Sequence, residues 1–177
     1  MEPKLYNHLG REMTIIDQVM DNILQGVSII TTQTDGKLNG MAASWVSRVA
    51  EQPFLVMASI WHNNYSNELI KKSKIFAVNI LAAGQKDVAK HFGQKSGRKV
   101  DKFQDILYET KKTGAPVLKD CLGYLDCQLY SHMEAGDHTL FVGEVVDAGF
   151  QKKTEPLVNN RIDFPYLTAE ELRKLKG

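Results

Sequence analysis

The 177-residue sequence lacks any long apolar run. No stretch approaches the ~18 apolar residues of a membrane-spanning helix, so we expect no segment to cross a bilayer. The N-terminus, MEPKLYNHLGREM, has no apolar core of a secretory signal peptide. Only two cysteines occur, and without an export signal they indicate a protein of the reducing cytoplasm.

The sequence also lacks a strong net charge. Its formal net charge is +1, which gives no reason to expect nucleic acid or an anionic membrane as partner. Hydrophobic residues make up 43% and charged residues 24%, which is ordinary for a soluble globular protein. The length is sufficient for one domain with a substantial core.

Several motifs of common enzyme chemistries are missing. No GxGxxG or GxxxxGK[ST] occurs, which excludes a Rossmann fingerprint and a P-loop. No GxSxG occurs either, and neither cysteine stands at a helix start or among cationic residues, so a covalent catalyst has little support.

A metal site is not favoured either. Cys121, Cys127, His132 and His138 resemble a spaced ligand set. On one strand from Cys121 to Met133, however, the two cysteines would be roughly 20 Å apart at about 3.3 Å per residue. This separation is too large for a shared zinc ion or a disulfide. We therefore expect buried free cysteines and no metal.

The strand patterns predict a mainly β protein. The predicted strands are Val27 to Thr34, the return through KLNGMAASWVSRVA, Phe54 to Trp61, Ile75 to Leu81, Cys121 to Met133, and a last strand ending near Gly149. An Asp35-Gly36 pair between the first two indicates a hairpin. A parallel sheet would need a helix between most strands. We therefore predict an antiparallel barrel of about six strands with short helices at its rim.

The predicted helices are short. Thr14 and Asp17 form a capping box before apolar residues at helical spacing, and Gly26 can end this helix. A second helix follows Ser66 as N-cap, and a third lies within AGQKDVAKHFGQ. Thr168 and Glu171 cap a predicted terminal helix.

The strand Ile75 to Leu81 is apolar on both of its faces. One face can line the barrel interior, and the other must be covered by helices or by a second subunit, because monomers rarely expose large apolar patches. We take this pattern as support for a homodimer.

Three stretches can form a binding site. The small residues of NGMAAS, Asn39 to Ser44, permit close approach of a ligand to the backbone, although a β-bulge at a barrel corner explains them equally well. Between Lys90 and Lys102, five cations face one acid, which suits either an anion site around Gly97 or a solvated loop. Ser66 at a helix start is either a phosphate site or a plain N-cap.

The GDH turn adds a fourth candidate. Gly136 and Asp137 precede His138, which stands at the mouth of a strand with apolar residues on both faces. The ring is either an ordinary strand-end residue or projects into a site.

The order and spacing of four segments resemble the flavin reductase-like family. They are GVSIITTQTDGKLNGMAASWVSRVAEQPFLVMASI, YSNELIKKSKIFAVNIL, FGQKSGRKVDKF and AGDHTLFVGEVVDA, and the likeness covers roughly residues 15 to 150. The resemblance implies an FMN-binding split barrel over residues 1–150. Residues 151–177 would be a C-terminal extension of the same domain with a short helix.

The resemblance also implies roles for individual residues. Asn39, Gly40, Met41, Ala42, Ala43, Ser44 and Trp45 match the segment that lines the flavin ring, although many relatives have a small polar residue in place of Trp45. The range from Ser59 to Ser66 matches a loop over the flavin and its ribityl chain, with Ser59, Tyr65 and Ser66 as cofactor-binding residues. Lys95, Ser96, Lys102 and Phe103 fall where the family binds or flanks the phosphate. His138 matches the histidine near flavin and nicotinamide, and we assign it the catalytic role.

The resemblance implies an FMN-dependent oxidoreductase that takes hydride from NADH or NADPH. The acceptor would be free flavin, ferric iron or a partner protein, and FMN would lie at the edge of a homodimer. A non-enzymatic FMN electron carrier, similar to flavoredoxin, is the alternative. A third interpretation is a structural split-barrel dimer without flavin.

Overall fold

A computed structural model describes residues 12–159 in full, together with the backbone of residues 5–6 and 167–168. The chain forms two compact units, one of Met1–Gln25 with Val158–Gly177 and one of Gly26–Leu157. The strands are β1 Leu5–Tyr6, β2 Gln25–Gly26, β3 Ser28–Thr34, β4 Lys37–Ala43, β5 Val46–Glu51, β6 Phe54–Trp61, β7 Ile75–Ile80, β8 Tyr108–Thr110, β9 Pro116–Leu118, β10 Gly123–Ala135, β11 His138–Phe150, β12 Val158–Asn159 and β13 Leu167–Thr168. The helices are α1 Ile15–Met20, α2 Tyr65–Ser73 and α3 Lys86–Gly93.

One antiparallel sheet dominates the larger unit. Its strand order is β4-β3-β7-β10-β11-β6-β5, and every neighbouring pair is antiparallel. The edge strands β4 and β5 follow each other in the chain, separated only by Ser44 and Trp45, and strand pairing does not close the sheet. The predicted fold class, mainly antiparallel β with short helices, is confirmed, with seven strands in this sheet.

The hairpin between β3 and β4 is confirmed. Asp35 and Gly36 both have positive φ angles, 52° and 73°, as a tight two-residue turn between twisted strands requires. Strand β6 also spans the predicted residues, Phe54 to Trp61. The short pair β8–β9 was not predicted, because each of its strands has only three residues.

Both faces of β7 are covered by the chain itself. Phe76 and Val78 belong to one buried cluster, whereas Ala77 packs in another with Ala115 and Val117 of the β9 region. The apolar character of this strand therefore requires no second subunit and gives no support for a homodimer.

The helices match the predictions in part. Thr14 and Asp17 form both hydrogen bonds of the capping box, but α1 ends at Met20 instead of continuing to Gly26. Helix α3 lies in the predicted segment. The predicted terminal helix lies outside the described residues except for Thr168, whose backbone belongs to β13.

The prediction that Ser66 caps α2 is wrong. The N-cap is Asn64, and Ser66 lies inside the first turn, where it is buried. Its hydroxyl accepts a hydrogen bond from Asn39 Nδ2 at 2.8 Å. A tertiary contact thus uses the oxygen that a local cap would have used.

The two cysteines are buried and free, in different core clusters. Strand β10 begins two residues after Cys121, and two register shifts interrupt its alternation. Burial raises the pKa of the Cys121 thiol to about 11 and that of Cys127 still further. Within the described residues, no helix has the length and apolarity to span a bilayer.

Candidate functional site

Two adjoining cavities lie where β4, the end of β6, the start of α2 and the start of β11 meet. The first, here called the aromatic cavity, has a volume of about 160 Å³. The second, here called the polar cavity, has a volume of about 330 Å³. Both are lined by Met41, Ala42, Trp61 and Asn64, so together they form one groove.

Three rings surround the aromatic cavity. His138 pairs with Trp61 in the register of β11 and β6, which places both side chains on the same face of the sheet. The Trp45 ring centroid lies 4.8 Å from that of His138, with the planes inclined by 37°. The tryptophans keep 47% and 42% of their surface exposed. Exposed aromatic faces around a cavity suit the stacking of a planar ring.

Strand β4 supplies one wall of the groove. It is an edge strand of the sheet, so one side of its backbone is not paired with another strand. Asn39 lines the polar cavity, Ala43 and Ser44 line the aromatic cavity, and Met41 and Ala42 line both.

Gly40 does not line the groove. A Cβ atom at this position would lie 2.6 Å from Phe92 Cε1, so glycine is required for the ring of α3 to pack against β4. The group that approaches this backbone closely is a core side chain. Phe103 does not line the groove either. It is buried and packs edge-to-face on Phe92, with 5.4 Å between the ring centroids.

The hairpin that carries His138 is tied to α2. Glu134, opposite Thr139, accepts hydrogen bonds from Lys71 Nζ at 2.8 Å and Thr139 Oγ1 at 3.0 Å. Thr139 in turn accepts from the buried Asn67 at 2.9 Å. The hydrogen bonds from Lys71 and then Thr139 hold the pKa of Glu134 below its ordinary value. This network fixes the hairpin beside the groove.

His138 itself is held by its neighbour in the chain. Its Nδ1 lies 2.6 Å from Asp137 Oδ1, and this hydrogen bond lowers the pKa of the Asp137 carboxyl. The ring lines the aromatic cavity, with its Nδ1 engaged by Asp137. This is the placement expected of a histidine that projects into a site, and not of an ordinary residue at a strand end.

The start of α2 opens toward the polar cavity. Asn64 and the first-turn residues Tyr65 and Ser66 line it, and the Asn64 side chain makes no capping bond to the helix. The first amides of a helix have no intrahelical acceptor, and the helix dipole favours an anion there. This end of the groove suits a phosphate.

Two of the five cations between Lys90 and Lys102 are paired with acidic side chains. Lys90 lies 3.7 Å from Asp87, and Arg98 Nη2 lies 2.8 Å from Glu68 Oε2. Lys99 does not line the groove, whereas Lys95 and Ser96 do. Within the described part of the chain, the Lys95 amine makes no ion pair or hydrogen bond. Of these five cations, Lys95 and Lys102 are the two that line the polar cavity.

Lys102 is a buried amine at the base of the polar cavity. It is only 5% exposed, and its Nζ donates to the carbonyl oxygens of Gly40 at 2.8 Å and Phe92 at 2.7 Å. Burial lowers its pKa from 10.5 to about 8. An ammonium group has three donors, so one remains for a ligand.

The groove therefore brings together all but two of the predicted site residues, Gly40 and Phe103. It also includes residues that the sequence did not single out. They are Phe92, Gly93 and Gln94, at the end of α3. The end of α3 was missed because helical spacing predicts which face is buried, but not which strand the helix end meets. No group of three or more metal-ligating side chains occurs among the described residues.

The chain is similar to proteins of known family in both sequence and fold. A family model described as flavin reductase like domain matches residues 20–168. The flavin reductase PheA2 superposes with a TM-score of 0.75 at 34% identity, covering 88% of this chain and 98% of that one. Flavoredoxin from Methanosarcina acetivorans superposes with a TM-score of 0.75 at 27% identity, covering 84% and 86%.

A curated relative is the high molecular weight rubredoxin of Moorella thermoacetica. It is 32% identical over 142 residues, which is 79% of this chain and 62% of the rubredoxin. The chain also matches 24% of the length of a putative diflavin flavoprotein of Nostoc sp.. The chain thus spans less than two thirds of the first curated relatives it matches.

Proposed function

The chain belongs to the flavin reductase-like family, and on this premise we propose that it is an FMN-binding oxidoreductase. It takes hydride from NADH or NADPH and passes electrons to free flavin, ferric iron or a partner protein. One observation carries the proposal: an aromatic cavity and a cationic, hydroxyl-lined cavity adjoin in a single groove. A flavin mononucleotide has the same polarity, with a planar ring at one end and a phosphate at the other.

The residues at the ring end suit isoalloxazine. Trp45 and His138 offer ring faces, Met41 and Ala43 an apolar wall, and Ser44 a hydroxyl. The unpaired backbone edge of β4 can hydrogen-bond a polar ring edge. This set would hold the ring by stacking and by main-chain contacts.

The residues at the other end suit a phosphate. Lys95 and Ser96 reach it from the loop after α3, and the first turn of α2 presents its amides. Lys102 adds a buried charge that, among the residues the structure describes, donates to two carbonyl oxygens and no carboxylate. An anion in the polar cavity would supply the missing counter-charge.

The chain's contribution to catalysis is orientation. FMN, when bound, would supply the hydride and electron chemistry that the chain's own residues do not provide. Hydride transfer needs no acid or base at the transfer itself, so placing the nicotinamide is the main requirement. His138, fixed by Asp137 and by the anchored hairpin, would place the nicotinamide or an acceptor against the ring.

A homodimer remains part of the proposal, on a different surface from β7. Met57, Leu140 and Val142 share the outer face of β6 and β11, where they are only half-buried, and Met133 beside Leu140 is 61% exposed. His138 lies on the same face. A second copy seated there would cover this apolar area and the side of the groove.

Light scattering tests the dimer. Val142→Glu puts a charge in the centre of the proposed interface and should yield a monomer with weakened FMN binding. Leu107→Glu, at a 76% exposed apolar residue of a loop, is the control and should leave the mass unchanged. A wild-type protein that elutes as a monomer would remove this part of the proposal.

The visible spectrum of the purified protein, before and after addition of FMN, tests the flavin. Lys95→Met should weaken FMN about tenfold, because one charge-assisted bond to phosphate is lost. It should leave riboflavin, which has no phosphate, unaffected. Lys90→Met, at a surface lysine of α3 outside the groove, is the matched control. A protein that gains no flavin absorption would favour the structural dimer without flavin.

The alternative is a non-enzymatic FMN electron carrier. The likeness to a rubredoxin and to flavoredoxin favours it. Addition of NADH or NADPH to the FMN-loaded protein separates the two functions. Rapid loss of the flavin absorption bands at micromolar NADH or NADPH supports the oxidoreductase. Reduction of the flavin only through a protein partner supports the carrier.

A further inference from the structure

Residues 95–99, Lys95, Ser96, Gly97, Arg98 and Lys99, form a short segment here called the strap. The strap follows α3 and contributes Lys95, Ser96 and Gly97 to the wall of the polar cavity. It turns on itself through a hydrogen bond from the Lys99 amide to the Ser96 carbonyl, 2.9 Å. We propose that the strap closes over the phosphate end of the bound nucleotide, and that Arg98 is the positioning residue that holds it closed.

The first observation concerns where the Arg98 side chain is directed. Its guanidinium lies 2.8 Å from the Glu68 carboxylate and 4.5 Å from the centroid of the Tyr65 ring. Both partners belong to the first turn of α2, the turn that opens into the polar cavity. Arg98 therefore has its charge satisfied by α2 and is not free to bind phosphate. It joins the strap to the opposite wall of the groove.

The second observation is the fit of Gly97 over Asn39. A Cβ atom on Gly97 would lie 2.0 Å from Asn39 Oδ1 and 3.0 Å from its Cγ, so only glycine permits the strap to seat here. Asn39 is 2% exposed, and its Oδ1 has no hydrogen-bond partner among the described residues. A buried acceptor without a partner is costly. The seated strap thus covers Asn39 Oδ1. When the strap lifts, this oxygen can accept a hydrogen bond from water or from a ligand hydroxyl, which favours the open position.

The Arg98 contacts and the buried Asn39 oxygen have opposite effects on whether the strap is closed. Arg98 favours the closed strap through its contacts with Glu68 and Tyr65, whereas the unsatisfied Asn39 favours opening. A strap held by one half-exposed ion pair and one ring contact can open without disturbing the core. The nucleotide would enter when the strap lifts, and Arg98 would then set how fast it leaves. This inference rests on the proposed FMN site.

Stopped-flow measurement of FMN release, followed by flavin fluorescence, tests the role of Arg98. Arg98→Ala loses the ion pair and the ring contact and should raise the dissociation rate about fivefold to tenfold. Glu68→Gln loses only the ion pair and should raise it about twofold to fivefold. The double variant should be no faster than the faster single variant, because both changes remove the same ion pair. Arg98→Lys keeps the charge but loses the planar stacking group, and should give an intermediate rate.

Lys72→Met is the matched control. Lys72 lies on the same helix and pairs with Asp35 at 2.6 Å on the surface, but it does not line the groove. Its loss removes a comparable ion pair without touching the strap. The FMN release rate of this variant should equal that of the wild type.

A cycle at Gly97 and Asn39 tests the seating itself. Gly97→Ala should speed FMN release at least tenfold, since the added Cβ cannot fit against Asn39. In an Asn39→Ala background the clashing atoms are absent, so the same glycine substitution should change the rate by less than about twofold. A purely local destabilisation by alanine at 97 would be the same in both backgrounds.

Amide hydrogen exchange of the flavin-free protein gives a second readout. Exchange of residues 95–99 should be faster in Arg98→Ala and in Gly97→Ala than in the wild type, and unchanged in Lys72→Met. FMN that binds all variants and leaves at one rate, with equal exchange, would overturn the strap while leaving the proposed function intact. A wild-type protein that binds no FMN would instead overturn the proposed function, and the role of Arg98 in nucleotide release with it.

Discussion

Replacing Lys102 by Met gives the sharpest test of how the groove handles charge. The substitution keeps an apolar stem of similar length and removes the buried amine with its two bonds to Gly40 and Phe92. Burial lowers the pKa from 10.5 to about 8, which corresponds to about 3 kcal/mol of cost for the charged form. The two lost bonds to carbonyl oxygens are each worth about 1–3 kcal/mol. These terms oppose each other, so the free energy of unfolding should change by no more than about 3 kcal/mol.

The pH dependence follows from the direction of the shift. Below about pH 8, Lys102 is protonated in the folded and the unfolded chain, and folding bears the whole cost of burying the charge. As the pH rises from about 8 toward 10.5, the folded amine loses its proton first, and this cost falls. Wild-type stability should therefore rise through this window relative to Lys102→Met.

Phosphate binding reverses this shift. An anion beside the amine raises its pKa again, so FMN that binds above pH 8 must bring a proton with it. With a pKa of about 8 in the free protein, FMN affinity at pH 9 should be about tenfold weaker than at pH 7. Binding at pH 8.5 should take up about 0.8 proton.

Calorimetry in buffers of different ionisation enthalpy measures the proton uptake, and flavin fluorescence measures the affinity. Lys102→Met should bind FMN at pH 7 at least about tenfold more weakly and lose the pH dependence between 7 and 9. Riboflavin should bind both proteins alike at every pH. A wild-type affinity that is flat across pH 8, or a slope that Lys102→Met retains, would refute the assignment of Lys102 to the phosphate.

Three further predictions concern single residues. His138→Ala should lower turnover about tenfold while FMN affinity changes by less than about threefold; steady-state kinetics and titration measure both, and unchanged turnover removes His138 from the mechanism. Gly40→Ala should cost about 1–3 kcal/mol in denaturant unfolding because its Cβ meets Phe92, and an unaltered midpoint would contradict that packing. Neither Cys121 nor Cys127 should react with iodoacetamide at pH 8 in the folded protein, because burial raises the pKa of both thiols; rapid labelling seen by mass spectrometry would show that they are accessible.

Local patterns predicted the strands well because a strand depends on its own alternation and on the turns that bound it. Asp35-Gly36 marks its hairpin through two positive φ angles, and Phe54 to Trp61 follows from a β-branched and aromatic run. The predicted fold class follows from the same signals, since strands joined by hairpins pair antiparallel. The resemblance named the segments that meet at the groove, but not which of their atoms face it.

Local patterns failed where a distant residue competes for the same group. Serine is a residue type that commonly caps helices, yet the Ser66 hydroxyl accepts a hydrogen bond from Asn39 on β4. The N-cap of the helix is Asn64 instead. Gly40 in the sequence predicts that a ligand approaches the backbone closely, yet the group that packs against it is the Phe92 side chain. In each case a contact between remote parts of the chain is stronger than the local preference.

The amino-acid sequence by itself determined the mainly antiparallel β character, the main hairpins and the collection of small, aromatic and basic segments from which the groove is built. Only the tertiary structure decided which cations remain available at the groove. Arg98 is paired with Glu68, while Lys102 is buried against two carbonyl oxygens and bonds to no carboxylate in the described part of the chain. The physical reason is that charge and hydrogen-bonding capacity are set by partners in space, and the spacing of residues along a chain does not specify those partners.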